Sequence, residues 1–370
     1  MIVALIGSPT RTNVDLAFAW RAVGVDARIL WPHEALRVLG PEDVALTRLD
    51  VLPTLDGVEP GLELVDELER RGVRVLNRPP GMLAAHDKLV TRDRLVAAGL
   101  PHPCTAHILP GCRPDEVELP CVLKPRFGSW GQDVLRCRDR EDLERGLELL
   151  SSRPWFRKQG ALAQELVEPV DADVRLVVAG DRVVAAGRRS AGPSEWRTNV
   201  TLGGRVVRAE LPDGTDVLAL AAARALAIDF AGVDLLPVDG GWTILELNGA
   251  VDYDRRYTLP GLDPYAAILE GLRIPHRPSA RGTLEEGIGK EVVMTKTAHG
   301  KPARPGDEIV IAGHSVGDAP KTAVILEVLG EPDHVRFRVR WEDGHESIFF
   351  PGEDAIIRRP EPKRRAKASA

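Results

Sequence analysis

Apolar positions along the first 78 residues switch between two periods. Val3-Ala4-Leu5-Ile6 is a short unbroken apolar run, and Ala27-Arg28-Ile29-Leu30-Trp31 is a second run of the same kind, so both predict strands. Between them, Asn13 to Trp20 places apolar residues at helical spacing behind an Asn cap signal. Leu62 to Arg71 is amphipathic, and Val73 to Asn77 predicts a strand that stops at Pro79-Pro80, where a missing N–H and the restricted residue before proline interrupt regular structure. These signals predict a small α/β unit over 1–78.

From 79 to 276 the pattern becomes mixed α+β. Helices are predicted over Lys88–Ala98, ending at Gly99, over Arg140–Leu150, and over the alanine-rich stretch Asp216–Ala227. Strands are predicted at Cys121–Lys124, Val134–Arg136, Ala161–Val167, Arg175–Val178 and Arg182–Ala186, the last two joined by a Gly180-Asp181 turn. Phe230–Val238 and Trp242–Leu247, joined by Asp239-Gly240-Gly241, predict a hairpin. A glycine- and proline-containing linker is expected over 277–302, and four short strands at Glu308–Ala312, Ala323–Val328, Val335–Trp341 and Ser347–Phe350 predict a small β-barrel domain over 303–358. The last stretch, 359–370, has a net charge of +4 and is expected to be a disordered basic tail.

Composition narrows the function classes. A length of 370 residues exceeds one small core and suits several domains. No apolar run approaches the ~18 residues of a membrane-spanning helix, and the amino terminus lacks the basic region of a secretory signal, so a cytoplasmic protein without a membrane partner is expected. The formal charge of −6 gives no global basic field for nucleic acid. Cys104, Cys112, Cys121 and Cys137 match neither zinc-ligand pairs nor a redox Cys-x-x-Cys and are read as free thiols. Only nine of the 49 basic residues are lysines, and three of those nine precede residue 290. An early lysine is therefore a stronger chemical candidate than any single arginine.

Three stretches can carry chemistry. Lys124 to Val134, Lys-Pro-Arg-Phe-Gly-Ser-Trp-Gly-Gln-Asp-Val, is a strand end followed by a glycine-containing loop. Backbone N–H groups at Gly128, Ser129 and Gly131 can close on phosphate oxygens while Lys124 neutralises them; a hairpin with an exposed lysine is the bland alternative. Asp234 on one strand and Glu246 with Asn248 on the next can converge as three oxygen ligands suited to magnesium, against the alternative of solvated acids on an open sheet face. Gln164-Glu165-Leu166-Val167 can read a purine edge through its backbone, although an ordinary edge strand looks the same.

The order of these pieces is more specific than any one of them. Asp87-Lys88, Lys124 with its loop, Gln164-Glu165, Asp173-Val174-Arg175, Glu195-Trp196-Arg197-Thr198-Asn199, Asp234 and Glu246-Leu247-Asn248 together resemble the ATP-grasp superfamily, and within it the RimK-type amino-acid ligases, over about 70–270. The resemblance implies an ATP-grasp fold: a small α/β domain before two α+β subdomains that clamp ATP. It implies Lys88 and Lys124 on the phosphates, Gln164 to Val167 along the adenine, Asp173 among the nucleotide-binding residues, and two magnesium ions, or manganese, on Asp234, Glu246 and Asn248. It further implies an acyl phosphate attacked by an amine, with Arg175 and Arg197 as fixed cations and Asn199 orienting substrate or a metal-bound water.

Two departures from the family pattern concern Asp133, where relatives carry glycine, and Gly249 to Tyr253, where they carry a small residue followed by Pro-Gly. The second makes Asp252, Asp254, Arg255 and Arg256 candidates for reading the acceptor, or else members of a solvated loop. The carboxy-terminal segment resembles a small free-standing domain of unknown function and is expected to be an SH3-like barrel that contacts a protein partner or presents substrate. Small-molecule carboxylate and amine substrates, or a peptide or protein tail as acceptor, are the implied partners, with homo-oligomerisation left open. Competing readings are phosphoryl transfer without ligation and a non-catalytic nucleotide-binding scaffold.

Overall fold

The computed structural model describes residues 1–111, 116–168, 172–208, 211–276, 303–311, 321–329, 336–342, 344, 346–349 and 355–359. The expected linker, the tail beyond Arg359 and Cys112 lie outside these residues. The chain forms two compact units, Met1–Arg281 and Gly282–Ala370.

The first unit opens with β1 (Ile2–Ile6), α1 (Arg11–Ala22), β2 (Asp26–Leu30), α2 (Pro32–Val38), β3 (Val44–Thr47), α3 (Leu62–Arg70) and β4 (Arg74–Leu76). The strands make a parallel sheet ordered β2-β1-β3-β4. Alternation along β1 sends Ala4 and Ile6 to a core under α2 and α3, and Val3 and Leu5 to a core under α1 with Leu16 and Trp20. The cap of α1 is Thr10, whose hydroxyl accepts from the Asn13 N–H. Asn13, expected as the cap, is instead buried inside the helix. Its amide donates to the Ser8 carbonyl and accepts from Arg48 Nε.

Next come α4 (Pro79–His86) and α5 (Lys88–Ala97). The Pro79-Pro80 pair, expected to interrupt structure, starts α4 instead: a proline in the first helical turn loses only an N–H that has no intrahelical partner. Asp87 then caps α5 by accepting from Leu89 N and Val90 N. A small lobe follows: β5 (Thr105–Ile108), β6 (Cys121–Pro125), β7 (Leu135–Cys137), α6 (Arg140–Ser151), α7 (Pro154–Gln159) and β8 (Ala161–Glu165), an antiparallel sheet ordered β5-β8-β6-β7.

The large sheet contains β9 (Ala172–Ala179), β10 (Arg182–Ser190), β11 (Arg205–Arg208), then α8 (Thr215–Leu226), β12 (Phe230–Val238), β13 (Gly241–Asn248) and, after it, α9 (Pro264–Gly271). Its order is β11-β10-β9-β12-β13, with the pairs antiparallel. One face packs Val174, Leu176, Val233 and Leu235 against the alanines of α8. The other face sends Val177, Ala179 and Phe230 into the same core as Leu16 and Trp20 of α1. The boundary expected at residue 78 is thus one of topology, and the packing runs across it. Gly180 holds the β9–β10 turn at φ +60°, and a Cβ there would lie 2.1 Å from the Gly271 carbonyl oxygen, so only glycine fits.

The second unit is a five-stranded antiparallel sheet of β14 (Glu308–Ile311), β15 (Lys321–Leu329), β16 (Arg336–Trp341), β17 (Glu346–Phe349) and β18 (Ala355–Arg358), ordered β17-β16-β15-β14-β18. Ile309, Ile325, Phe337, Val339 and Ile357 are buried, as a small barrel requires. The strand β18 has no counterpart among the four expected from sequence.

Candidate active site

The two antiparallel sheets of the first unit face each other across a cleft. The small lobe contributes Lys124 and the glycine loop, α5 contributes Lys88, and the large sheet contributes Leu236, Leu245 and Glu246. Lys124 is the next-to-last residue of β6 and is buried, and its Nζ donates to Gln164 Oε1 at 2.7 Å across the β6–β8 pair. Burial lowers its ammonium to about 8, Lys88 adds to the lowering, and Glu246 opposes it. Lys88 is fixed by its neighbour: Asp87 holds Arg126 in a two-pronged pair at 2.7 and 2.6 Å, and Lys88 N donates to the Arg126 carbonyl. Lys88 Nζ reaches the Gly128 carbonyl at 2.6 Å and Glu246 Oε2 at 3.3 Å.

The loop solves its missing glycine in another way. Asp133 adopts φ +54°, a left-handed conformation that aspartate tolerates better than most residues. Its carboxylate turns to α7, accepting from Trp155 Nε1 at 2.9 Å and pairing with Arg153 at 3.0 Å. Gly128, Ser129 and Gly131 line the cleft. So do Gln164, Glu165, Leu166, Val167, Asp173, Arg197 and Asn199. Glu165 is tied down, its Oε2 accepting from Cys104 N at 3.1 Å. Arg197 is clasped by Glu195 at 2.9 and 2.7 Å and donates to the Gly131 carbonyl at 2.6 Å. It therefore supports the glycine loop directly.

The three expected metal ligands share a sheet face because of a one-residue bulge. Simple pairing from the Val238–Gly241 end would set Leu245 opposite Asp234; the register shifts there, and Asp234 faces Glu246 while Gly232 faces Asn248. Leu245 and Glu246 consequently both line the cleft. The side chains do not all gather as expected. Asn248 Oδ1 accepts from Ala250 N at 2.9 Å. Asp234 is buried, held by Arg175 through two bonds at 2.7 and 2.8 Å and by Arg189 Nη2 at 2.7 Å. Burial works against ionising Asp234, but the two guanidiniums outweigh it and hold the carboxyl well below the usual carboxylate range. Neither Asp234, Asn248 nor Arg175 is among the cleft-lining residues.

This corrects the expectation for Arg175, which is committed to Asp234 rather than aimed freely into the cleft. Asp173 is similarly committed: Arg189 grips it at 2.6 Å through both oxygens, and the Thr198 hydroxyl also donates to it. Arg189 was missed in the sequence for a definite reason. Counting back from the Gly180-Asp181 turn sets Arg188 opposite Asp173, but a bulge at Val184 shifts the register and brings Arg189 there. The acceptor candidates separate as well. Asp254 and Arg256 form a local pair, whereas Asp252 faces the first domain and accepts from the Thr12 hydroxyl at 2.8 Å.

The residues suit a nucleotide triphosphate: two ammonium groups and a glycine loop at one end, and apolar walls of Val122, Leu236 and Leu245. For a divalent cation the expected donors are all oxygens, as a hard ion prefers, and of the three only Glu246 lines the cleft. Among the described residues no group of three or more His, Cys, Asp or Glu side chains is placed to hold a metal, and the Asp234 carboxylate is engaged by Arg175 and Arg189.

Two facing sheets with a lysine-lined cleft between them define an ATP-grasp enzyme. Residues 112–270 match the RimK-like ATP-grasp domain, and 302–357 match a domain of unknown function, DUF1918. The chain is 32% identical over 229 residues to a probable alpha-L-glutamate ligase of Xanthomonas oryzae pv. oryzae (strain MAFF 311018), covering 60% of this chain and 75% of that one. It is 29% identical over 260 residues to probable alpha-L-glutamate ligase 2 of Shewanella sp. (strain W3-18-1), covering 66% and 80%. Among solved structures, the RimK domain protein ATP-grasp from Sphaerobacter thermophilus DSM 20745 superposes with a TM-score of 0.53 at 20% identity, covering 73% of this chain and 99% of that one. D-cycloserine synthetase DcsG superposes with a TM-score of 0.54 at 19% identity, covering 73% and 98%. The chain belongs to the RimK-like ATP-grasp family, whose members are ATP-dependent ligases joining a carboxylate to an amine.

The buried Lys124 gives a pH signature. Its charge in the free chain is present below about 8 and lost as pH rises through that value, so phosphate binding should weaken above it, by up to about tenfold per pH unit. Nucleotide affinity measured against pH is expected to show this fall, and Lys124→Arg, which keeps its charge, to remove it.

Proposed function

We propose that the first unit activates a carboxylate as its acyl phosphate at the expense of ATP and passes the acyl group to an amine, forming an amide with ADP and phosphate released. The observation that carries this reading is the opposition of Lys124 and Lys88 to Glu246 across the cleft. Fixed cations on one side and a hard-ion ligand on the other are what a transferring phosphoryl group needs. Lys88, Lys124 and the Gly128–Gly131 loop hold the phosphates, and Gln164 to Val167 flank the adenine. Glu246, with Asn248 and Asp234 at facing positions of the same two strands, would hold magnesium, which when bound would neutralise phosphate charge. The pair Arg197 and Asn199 lies where Arg197 can steady both the loop and charge that develops on the transferred group.

Incubating the chain with ATP, magnesium and a panel of carboxylate and amine substrates, amino acids included, tests this. ADP should form only with both substrates present, together with an amide product seen by mass spectrometry. ADP formed without any amine-dependent product would instead indicate phosphoryl transfer alone, and no ADP under any combination would indicate a non-catalytic binder.

A further inference from the structure

The small lobe holds two thiols that the nucleotide reading does not use. Cys121 opens β6 and Cys137 closes β7, and the antiparallel register sets their Cα atoms directly opposite each other. Distance along the chain hides the pair, because the hairpin folds back between the two residues. Each is 1% exposed. Both thiols are free, and they are hydrogen-bonded to one another. Directly opposed residues of an antiparallel pair lie about 4.5–5.5 Å apart at Cα, inside the roughly 4.4–6.8 Å that a disulfide spans. Opposed side chains also share one face of the sheet, so neither strand has to turn for the sulfurs to meet.

The two sulfurs are not equivalent. The bond from Cys137 draws the Cys121 thiol below its ordinary value, burial opposes that, and the nearby Arg140 charge adds to the lowering. The same bond, with burial, pushes the Cys137 thiol up. Cys121 is therefore the readier thiolate, and Cys137 keeps its proton until a second step needs it. Access comes from the edge. β7 is the outer strand of its sheet and only three residues long, with Leu135 and Arg136 half-buried, so opening a short ladder brings the pair to solvent. Cys104 is exposed but lies in the wrong place. Its carbonyl accepts from Glu165 N at 2.7 Å, and Glu165 in turn pairs with Cys121, so two strand spacings, about 9.6 Å, separate Cys104 from Cys121. That exceeds the roughly 7 Å limit for a bridge.

We propose that Cys121 and Cys137 are an oxidative modification site, joined as a reversible disulfide by a peroxide. The Cys121 sulfur attacks one peroxide oxygen, the O–O bond breaks, and the sulfur becomes a sulfenic acid as water leaves. The Cys137 sulfur then attacks that sulfur, its proton leaving with the hydroxyl as a second water. Two thiols and one hydrogen peroxide thus give one disulfide and two waters; the sulfurs lose two electrons and the peroxide oxygens gain them. The consequence follows from the topology. Between the two cysteines lie Lys124 and the whole glycine loop, so the bond closes the base of the hairpin that carries them. It pins the short outer strand to β6 and removes the loop motion that fraying of β7 permits.

The test treats the full chain with hydrogen peroxide, maps disulfides by mass spectrometry of an unreduced digest, and follows backbone hydrogen exchange over 122–136. The expected product is a Cys121–Cys137 bond that dithiothreitol reverses, with exchange in that segment slowed about tenfold or more. Cys137→Ala should show neither change, and Cys121→Ala serves as the second variant should the first fail to fold. The proposal is overturned if both thiols survive treatment that oxidises the exposed Cys104, or if either pairs with Cys104 or Cys112 instead. It is equally overturned if oxidised and reduced chains exchange alike, or if a folded variant slows as the parent does. No nucleotide or substrate enters these measurements, so the ligase reading can fail without this one.

Discussion

Lys124→Met and Glu246→Gln are each expected to lower magnesium-dependent ATP turnover by about 10²–10³-fold or more while the chain still folds. The two changes remove opposite halves of one arrangement. Lys124 is buried against Gln164, and a methionine of similar length fills its channel without the ammonium, so the chain should still fold, at a cost of about 1–3 kcal/mol for leaving Gln164 Oε1 without that donor. Glu246 is partly exposed at the rim and pairs with Lys88 at 3.3 Å, so its amide analogue costs little structurally. Initial rates of ADP release, with circular dichroism to confirm folding, check both. Retained turnover in either variant would remove that residue from the chemistry.

The largest expected stability effect belongs to Arg189→Met. This side chain bridges Asp173 and Asp234, and all three are buried. Removing the cation leaves Asp173 with only the Thr198 hydroxyl and Asp234 with Arg175 alone, and breaking a buried network in this way costs about 3–5 kcal/mol. Urea unfolding at neutral pH should show that loss. The sign with pH follows from Asp234, whose carboxyl is held below its ordinary 3.8. The stabilisation is full above that value and is lost as pH falls below it, so parent and variant should converge in acid. A variant as stable as the parent at neutral pH would mean the bridge contributes nothing.

The parts of the fold legible in the sequence were those with strong local signals. The Phe230–Val238 strand emerges with its expected limits, and the alanine-rich helix shifts by one residue at each end, to Thr215–Leu226. Short elements such as α2, β5, α7 and β11 were not legible, because four to seven residues carry too little periodicity to separate from a loop. At the site, residue types were readable and their partners were not. Glu246 could be proposed from the facing strands and Lys88 from the resemblance to the ATP-grasp superfamily, but the bulges at Val184 and Leu245 decide which side chain meets Asp173 and which meets Asp234. A one-residue shift in pairing leaves no trace in hydrophobic alternation when the residues concerned face a polar cleft.

The dependence of Asp234 on two arginines bears on how the site fills. On the proposed reading, a cation drawn to Glu246 would meet an Asp234 carboxylate that already accepts three arginine N–H groups, two from Arg175 and one from Arg189. Magnesium held at Glu246 would therefore act next to this network. The measurement that tests this most directly is calorimetric titration of a non-hydrolysable ATP analogue with and without magnesium, in the parent chain and in Glu246→Gln. The account predicts that magnesium tightens nucleotide binding to the parent and that the variant loses most of that tightening. Equal enhancement by magnesium in both proteins would contradict it.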